Sequence, residues 1–367
     1  MWLLICAIAI LLLIGGTVYL SMVLSNQFFL GRISDKRILC VLLAFLLIAV
    51  VFTVITKLMS FVNALVILLH MVGFTLFFDV VMRVIRPFVT FGSKSGLHVM
   101  LSLVTTILYL LVAYYLCTNV WQTDYQLTTK KELGTLRIAM FADSHVGATF
   151  DGEGFEKHLK SIESQSPDIL CISGDYVDDW SNKEDMLKAC EALGRTGFKY
   201  GVWLVFGNHD EGFFKSRDFD AQELRQALKD NGVHVLEDEF DLVDDRFYVA
   251  GRRDSMHDNR KDMESLLSGV DKSKYIILLD HEPNDYANES GYADLVLSGH
   301  THGGQMFPIN IISYLSGVND RIYGHENREG TDFIVTSGIS DWDILFKTGT
   351  KSEYVIIDIG KTDPGTM

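Results

Sequence analysis

Cysteine is scarce in this chain of 367 residues. Three of the five cysteines, Cys6, Cys40 and Cys117, lie inside long apolar stretches, and only Cys171 and Cys190 lie elsewhere. This number and placement exclude a disulfide framework and a zinc site built from cysteine thiolates. Cysteine usage does not indicate the compartment.

Charge is nearly missing from the first part of the chain. Residues 1–120 carry seven basic and two acidic residues, whereas residues 121–367 carry 25 basic and 45 acidic residues. Such an acidic second part repels nucleic acid phosphates, which argues against a nucleic-acid-binding function. The mean hydropathy of +0.19 is high for a soluble protein, so a single soluble domain is not expected.

Four apolar stretches occupy the first third of the chain, at residues 2–24, 38–59, 61–82 and 97–120. Each has about 20 residues, enough to cross a ~30 Å hydrocarbon core as a helix. No basic residue precedes the first stretch, which disfavours a cleaved signal peptide. Lys57 and Asp79 lie near the ends of stretches, and we expect His70 and His98 to pack between helices. We therefore predict that residues 1–121 form a four-helix transmembrane anchor rather than a transport pathway.

Basic residues predict the orientation of this anchor in a multi-pass cell-membrane protein. They concentrate in two loops, with Arg32, Lys36 and Arg37 after the first stretch and Arg83, Arg86 and Lys94 after the third. Because short basic loops tend to stay in the cytoplasm, we expect both chain ends, and the acidic part, outside it. A mild argument for a cytoplasmic second part comes from the basic residues after the last stretch, Lys130, Lys131 and Arg137.

The second part of the chain has the pattern of an α/β domain. After Trp121, an expected interfacial residue, the polar residues 122–134 are predicted to form a linker. Buried strands are predicted at residues 136–142, 169–173, 201–206, 247–250, 275–279, 295–298, 333–336 and 354–359. Amphipathic helices are predicted between several of them, at residues 155–164, 183–193 and 221–229. This alternation predicts sheets covered by helices in residues 135–367.

Five of the predicted strands end in runs of polar residues that can carry chemistry. The runs are Asp143-Ser144-His145, Gly174-Asp175 followed by Asp178, Gly207-Asn208-His209-Asp210, Asp280-His281, and Gly299-His300-Thr301-His302-Gly303-Gly304-Gln305. Taken singly, each run is better explained as a surface turn or a buried histidine. Ligands bind at the carboxyl ends of strands in open α/β sheets, so five runs in this position are expected to converge on one site.

The expected donors are carboxylates, imidazoles and an amide oxygen, which suit Zn, Mn or Fe. They are too many for one ion and predict a two-metal site with a shared carboxylate. Such sites clamp the attacking and leaving oxygens of a displacement at phosphorus. The glycines beside Asp175, Asn208 and His300 allow the backbone to turn sharply there.

These ordered motifs resemble those of the calcineurin-like metallophosphoesterase superfamily over residues 135–360. The run Gly-His-Thr-His-Gly-Gly-Gln is similar to that of its membrane-anchored bacterial phosphodiesterases, and the four-span layout resembles the transmembrane proteins with a metallophosphoesterase domain. The resemblance implies a four-layer αββα sandwich and a metal-dependent phosphoric ester hydrolase.

The resemblance also implies a role for each motif residue. The first metal would be held by Asp143, His145, Asp175 and His302, and the second by Asp175, Asn208, His281 and His300. His209 would protonate the leaving oxygen, Asp210 would orient its ring, and Asp178 would support the ligands from behind.

A site tethered to a membrane meets lipid head groups at high effective concentration. Apolar residues after two motifs either contact acyl chains or belong to the core: Phe213, Phe214, Met306, Phe307, Ile309, Ile311, Ile312 and Leu315. A phosphorylated lipid or lipid-linked pyrophosphate is the expected substrate. One alternative is a phosphodiesterase for soluble nucleotides. Another, suggested by the resembling branch, is cleavage of the pyrophosphate of a UDP-linked diacylglucosamine, which requires the cytoplasmic face. The intact ligand set argues against a non-enzymatic receptor or scaffold.

Overall fold

The computed structural model describes residues 2–26, 36–85, 87–88, 96–212 and 216–361, with backbone alone in residues 2–9. The chain divides into two compact units, Met1–Tyr114 and Tyr115–Met367. The first unit is helical, and the second contains the sheets and the predicted site residues.

The helices of the first unit are α1 (Trp2–Ser25), α2 (Arg37–Leu58), α3 (Phe61–Ile85) and α4 (Leu97–Thr118), the last of which continues into the second unit. By length and composition, α2, α3 and α4 are long and apolar enough to cross a membrane, and the described apolar part of α1 is Ile10–Ser25. These bounds agree closely with the four predicted stretches. Most of both basic loops lies outside the described residues.

Burial in the first unit is inverted relative to a soluble helical bundle. Large apolar side chains face outward, and Ile38 and Leu58 are both 78% exposed. Small and hydroxyl-bearing residues such as Ala44 and Ser102 are buried, and the Ser102 hydroxyl donates to the carbonyl of His98 at 2.6 Å. Small and polar residues between helices with apolar residues outside are typical of helices packed in lipid. The first unit therefore associates with a membrane.

Two ionisable residues of this unit are paired within it. The ring of His70 stacks on Tyr109 with the centroids 5.3 Å apart, which agrees with a packing role. Asp79 is not explained by its closeness to a helix end alone, because it accepts a hydrogen bond from the Tyr19 hydroxyl at 3.0 Å and lies 3.7 Å from His98 Nε2.

Two six-stranded sheets build the second unit. The first sheet contains β1 (Val120–Thr129), β2 (Leu136–Phe141), β3 (Ile169–Ser173), β4 (Val202–Val205), β5 (His234–Leu236) and β12 (Ser352–Lys361). The second contains β6 (Glu239–Val243), β7 (Phe247–Gly251), β8 (Tyr275–Leu279), β9 (Leu295–Ser298), β10 (Gly324–Arg328) and β11 (Thr331–Val335). The strand orders are β1-β12-β2-β3-β4-β5 and β10-β11-β9-β8-β7-β6. In the first sheet β2, β3, β4 and β5 are parallel, and in the second β7, β8, β9 and β11 are parallel.

Helices cover the outer faces of both sheets. The first sheet is covered by α5 (Gly152–Glu163), α6 (Lys183–Gly194) and α8 (Ala221–Asp230), and the second by α9 (Met263–Leu266) and α10 (Tyr286–Glu289). The unit also contains α7 (Asn208–Glu211) and α11 (Ile309–Ser316), and no residue of α11 is buried. The alternation along β2 shows how the layers form. Ile138 and Met140 pack between the sheets, and Ala139 and Phe141 pack under the helices. Because successive side chains of a strand point to opposite faces, one strand supplies both layers. The four-layer αββα sandwich is confirmed.

The segment predicted as a linker is largely a strand. Residues 122–129 belong to β1, which pairs in parallel with β12 from Val120 opposite Ser352 to Thr129 opposite Lys361. The prediction was wrong because β1 is an edge strand, and its residues before Leu127 are exposed or half-buried. A strand that buries so little requires few apolar residues, so its sequence is as polar as that of a linker.

Candidate metal centre

The predicted ligands follow five strand ends, three in one sheet and two in the other. β2, β3 and β4 are neighbours in the first sheet, and β8 and β9 are neighbours in the second. The two sets of strand ends meet, because His281 after β8 places its Nδ1 2.8 Å from the carbonyl of Ser173 in β3. The packed core between the sheets brings groups far apart in sequence to one site.

One group of possible metal ligands contains Asp143, His145 and His302, whose ligand atoms all lie within 4.8 Å of one another. The rings of His145 and His302 stack with centroids 5.2 Å apart. His302 Nε2 lies 3.8 Å from Asp143 Oδ1. All three side chains are buried.

A second group contains Asp175, His281 and His300, again with ligand atoms within 4.8 Å. Asn208 belongs with them, since its Oδ1 lies 3.2 Å from His281 Nε2 and 3.0 Å from His300 Nδ1. Asp175 connects the two groups. Its Oδ2 lies 3.2 Å from His281 Nε2 and 3.9 Å from His145 Nε2. The structure thus brings all seven predicted ligands together.

Five of these seven residues have left-handed backbone conformations, with φ of +54° at Asp143, +39° at His145, +52° at Asp175, +68° at His300 and +48° at His302. Such conformations cost side-chain-bearing residues about 1–3 kcal/mol each and persist where the surroundings enforce them. Their concentration at these positions indicates that the fold maintains the ligand geometry against local backbone preference.

Glycines leave room for the ligands at two of these turns. A Cβ on Gly174, where φ is +85°, would lie 2.6 Å from His281 Nδ1. A Cβ on Gly299 would lie 2.6 Å from Asp143 Oδ2. Both distances are shorter than atoms tolerate, so these positions require glycine for close approach.

The donors fit a divalent metal ion. His145 Nε2 is buried and has no hydrogen-bond partner among the described residues. The nearest carboxylate oxygen of Asp175 lies 3.9 Å away, beyond hydrogen-bond distance. A buried polar atom without a partner is costly, and a bound cation would satisfy it. Imidazole nitrogens with carboxylate oxygens are the ligands that Zn, Mn and Fe accept.

Electrostatics hold the linking carboxylate ionised. Burial disfavours the charge of Asp175, but His281, His145 and His209 keep its pKa well below the usual range. Burial likewise disfavours a charged His281, but Asp175 raises its pKa well above the usual value. A metal ion would replace the proton that this pair shares.

His209 lies at the edge of the metal-ligand cluster. Its ring is 5.0 Å from that of His145, its side chain is 20% exposed, and its backbone NH donates to Asp175 Oδ1 at 2.8 Å. The carboxylate beside its ring is Asp179, with Oδ2 3.0 Å from Nδ1. Sequence reasoning missed Asp179, which directly follows Asp178 of the second motif.

Asp210, which was predicted to orient the ring of His209, is directed to backbone NH groups. Its buried carboxylate accepts hydrogen bonds from the backbone NH groups of Val177 at 3.0 Å and Gly207 at 2.9 Å. Burial and the neighbouring charge of Asp175 raise the pKa of Asp210 to about 7. Both oxygens of the Asp210 carboxylate therefore stabilise the turn at the start of α7.

Two carboxylates lie beside the Nδ1 atoms of the candidate ligands His145 and His302. Asp178 Oδ2 lies 3.1 Å from His145 Nδ1, which is the position that the predicted supporting role requires. Asp341 Oδ1 lies 2.8 Å from His302 Nδ1 and was missed from the sequence. The polar run that follows the predicted strand at 333–336 is the signal that could have found it.

Asp341 is also the centre of a buried polar cluster. Its Oδ2 lies 3.3 Å from the Lys347 ammonium and accepts a hydrogen bond from the Cys117 thiol at 3.4 Å. Asp341 and Lys347 are fully buried. Burial would raise the pKa of Asp341, but Lys347 and His302 hold it below the usual value. A ligand histidine is therefore connected to the last turn of α4.

The apolar residues expected near the site separate into two sets. Met306 is buried in the core, whereas Phe307 and most of α11 are exposed. Phe213 and Phe214 lie outside the described residues.

Comparison with known proteins identifies the family. The calcineurin-like phosphoesterase model matches residues 136–304. An uncharacterized metallophosphoesterase of Aquifex aeolicus (strain VF5) is 34% identical over 49% of this chain and 68% of its own length. A transmembrane protein with metallophosphoesterase domain from Danio rerio is 28% identical over 64% of this chain, which covers 56% of that relative. The uncharacterized metallophosphoesterase Cj0846 of Campylobacter jejuni is 29% identical over 61% of this chain and 59% of its own length. This chain belongs to the calcineurin-like metallophosphoesterases and is a hydrolase of phosphoesters.

Proposed function

We propose that this protein is a membrane-anchored phosphoesterase with two divalent metal ions, which hydrolyses a phosphoester or pyrophosphate bond of a lipid or lipid-linked substrate. The observation that carries the two-ion assignment is the position of Asp175. One carboxylate oxygen faces histidines of both ligand groups, at 3.2 Å and 3.9 Å. A carboxylate shared in this way is the element that two-metal hydrolytic sites require.

The residues that would hold the ions are divided between the two groups. Asp143, His145, His302 and the shared Asp175 would hold one ion, and Asp175, Asn208, His281 and His300 the other. When bound, such ions lower the pKa of coordinated water and neutralise charge on phosphoryl oxygens. Mn, Fe and Zn all suit these donors.

His209 would supply the proton for the leaving group. Asp179 accepts from Nδ1, which favours the tautomer with its proton there and orients the ring. The partly exposed ring can meet a substrate that enters from solvent. We assign to His209 Nε2 the transfer of a proton to the leaving oxygen, a step typically worth about 10²- to 10⁴-fold in rate.

A lipid substrate is supported by the apolar first unit, since a tether to the bilayer concentrates lipid phosphates around the site. The orientation is supported by the basic loops, which favour a multi-pass anchor with the hydrolytic unit outside the cytoplasm. Reporter fusions at the carboxyl end test the orientation, and activity of a cytoplasmic reporter alone would reverse it.

Metal analysis and turnover on the purified full-length protein in detergent test the assignment. We expect Asp175→Ala to lose bound metal and hydrolysis of a chromogenic phosphodiester together. His209→Ala should keep the metal and lose turnover by about 10²-fold or more. His234→Ala is the matched control, because this exposed histidine stacks on Trp203 outside the site. Either site variant hydrolysing the substrate at the wild-type rate would contradict the assignment.

The substrate class is tested by phosphate release from a panel of phosphorylated lipids and lipid-linked pyrophosphates. Soluble nucleotides and a UDP-linked diacylglucosamine complete the panel. We expect the highest kcat/KM with a lipid or lipid-linked substrate. Turnover of nucleotides alone would refute the lipid assignment while leaving the metal site in place.

A further inference from the structure

The helix α11, which follows the last ligand motif, exposes an apolar surface. None of its eight residues is buried. Leu315 is 75% exposed and Ile312 is 63% exposed, and Phe307, Tyr314 and Val318 add to the same segment. A helix in a stable domain normally buries its apolar face against another element. This one therefore requires an apolar environment from outside the described part of the chain.

The composition around α11 favours a lipid surface. Residues 303–319 contain no charged residue, although residues 121–367 as a whole carry 45 acidic and 25 basic residues. An amphipathic helix lies in the interface of a bilayer with its apolar face about 5–10 Å deep, and α11 offers such a face without acidic residues that an anionic lipid surface would repel. The same segment would be unusually apolar for a surface that meets only water.

Contacts within the second unit place α11 near the point where the chain leaves its last apolar helix. The carbonyl of Ile344 lies 3.7 Å from Cys117 Sγ in the last turn of α4 and 3.5 Å from Gln305 Nε2. Gln305 lies four residues before α11, a reach of at most about 14 Å. Phe307, next to α11, donates its NH to Thr348 Oγ1 at 2.9 Å. Residues of the segment 341–348 thus contact both Cys117, in the last turn of α4, and Gln305 and Phe307, just before α11.

Aromatic residues mark the same end of α4. The rings of Tyr115 and Trp121 lie 6.0 Å apart in an edge-to-face contact, and both side chains are exposed. Tyrosine and tryptophan concentrate at membrane–water interfaces. If α4 ends at the bilayer surface, as the proposed anchor requires, α11 starts within reach of the ~5–8 Å head-group layer.

The same segment leads to the metal centre. Asp341 contacts His302, and the neighbouring Trp342 has its ring 6.4 Å from that of His209. Trp342 is 40% exposed. Trp342 therefore lies beside His209, the proposed proton donor. It belongs to the same segment, 341–348, that contacts the residues just before α11.

We propose that α11 inserts its apolar side chains into the head-group layer of the membrane that anchors the chain, and so presents the metal centre to phosphates of lipids in that leaflet. This inference deepens the proposed function and rests on it for the substrate. Insertion itself is a separate property that can be measured without turnover.

Fluorescence quenching tests insertion in the full-length protein, reconstituted into phosphatidylcholine–phosphatidylglycerol vesicles. An environment-sensitive label is attached at Leu315→Cys, or at Leu187→Cys on α6 as the matched control, in a Cys6→Ser background. Cys40, Cys117, Cys171 and Cys190 are buried, so they should not compete for the label. We expect spin-labelled lipids to quench the Leu315→Cys label about twofold or more and to leave the Leu187→Cys label unquenched.

Activity tests the consequence for lipid substrates. Ile312→Asp combined with Leu315→Asp changes exposed side chains, so the fold should tolerate it. We expect the rate on a phosphorylated lipid in vesicles to fall about tenfold or more, with the rate on a soluble chromogenic phosphodiester within about twofold of wild type. Leu187→Asp should change neither rate.

Three results would overturn the inference. Equal quenching at the two labelled positions would show that α11 stays in water. Energy transfer between Leu315→Cys labels of two chains, without quenching by lipid, would make the surface an interface between copies. The Ile312→Asp, Leu315→Asp variant could also keep the wild-type ratio of its rate on the phosphorylated lipid to its rate on the soluble phosphodiester. This result would show that α11 does not present the metal centre to lipid phosphates. Quenching of the Leu315→Cys label, together with no hydrolysis of lipid by the wild-type protein, would refute the lipid substrate and support insertion.

Discussion

Replacing Asp341 by asparagine separates two roles of one buried carboxylate. Oδ1 lies 2.8 Å from Nδ1 of the ligand His302, and Oδ2 lies 3.3 Å from the ammonium of Lys347. Both Asp341 and Lys347 are fully buried. The substitution keeps the size of the side chain, so any effect comes from the lost charge and the altered hydrogen bonding.

The ion pair with Lys347 predicts a loss of stability, and the contact with His302 predicts a loss of metal affinity or activity. Removing one partner of a buried ion pair costs about 3–5 kcal/mol, because the other charge stays buried without compensation. Lys347 keeps a hydrogen bond to the carbonyl of Ser337 at 2.7 Å, so we expect the lower end of this range. For a unit of this size, about 3 kcal/mol lowers the Tm by about 6–12 °C. Loss of a carboxylate that orients a ligand histidine typically costs about 10- to 100-fold in metal affinity or activity.

The assay compares Asp341→Asn with the double variant Asp341→Asn, Lys347→Met in the full-length protein. The double variant removes the uncompensated charge, so we expect its Tm to recover most of the loss. His302 still lacks its carboxylate, so metal content and kcat should stay low. Thermal unfolding, metal analysis and initial rates on one preparation give all three quantities.

Two outcomes would refute this reasoning. Wild-type metal affinity and kcat in Asp341→Asn would show that the carboxylate does not position His302. Recovery of activity together with Tm in the double variant would show that charge balance, rather than orientation of the ring, explains the loss.

Three further predictions concern other parts of the hydrolytic unit. Gly174→Ala should lower the Tm and bound metal, because its Cβ would lie 2.6 Å from a ring nitrogen of a ligand at a φ of +85°, whereas Gly197→Ala, with open space around it, should change neither. Equal Tm values for Gly174→Ala and Gly197→Ala would show that position 174 does not require glycine. Asp179→Asn should lower kcat about tenfold or more with metal content and KM nearly unchanged, since it releases the proposed proton donor, and a proportional loss of metal would instead indicate a structural role. Cys171 and Cys190 should resist alkylation at pH 8 until the unit unfolds, since both are buried and burial raises the pKa of Cys190 to about 12, and rapid modification of the native protein, followed by mass spectrometry, would contradict this burial.

The predictions that succeeded from sequence relied on rules of short range. A long run of apolar residues has few stable arrangements other than a helix in an apolar environment, and the bounds of α1 to α4 followed closely. Polar residues directly after a buried strand must lie at its carboxyl end, so the sequence predicted that the side chains after β2, β3, β4, β8 and β9 lie close together.

The predictions that failed depended on partners distant in the chain. β1 has the composition of a linker, and it is a strand because β12 offers a paired edge 232 residues further on, from Val120 to Ser352. Asp179 and Asp210 are both acidic neighbours of motif residues. Their roles differ because the turn into α7 directs Asp210 to backbone NH groups and leaves Asp179 to meet the ring of His209.

The amino-acid sequence by itself determined the apolar helices, the alternating layers of the second unit and which side chains form the candidate metal centre, because periodicity and strand ends are local properties. Only the tertiary structure decided which carboxylates support which histidines, and that the end of α4, the metal centre and the exposed α11 share the segment 341–348. Such contacts join residues such as Cys117 and Asp341 across more than two hundred positions, and they exist only once the core between the two sheets has formed.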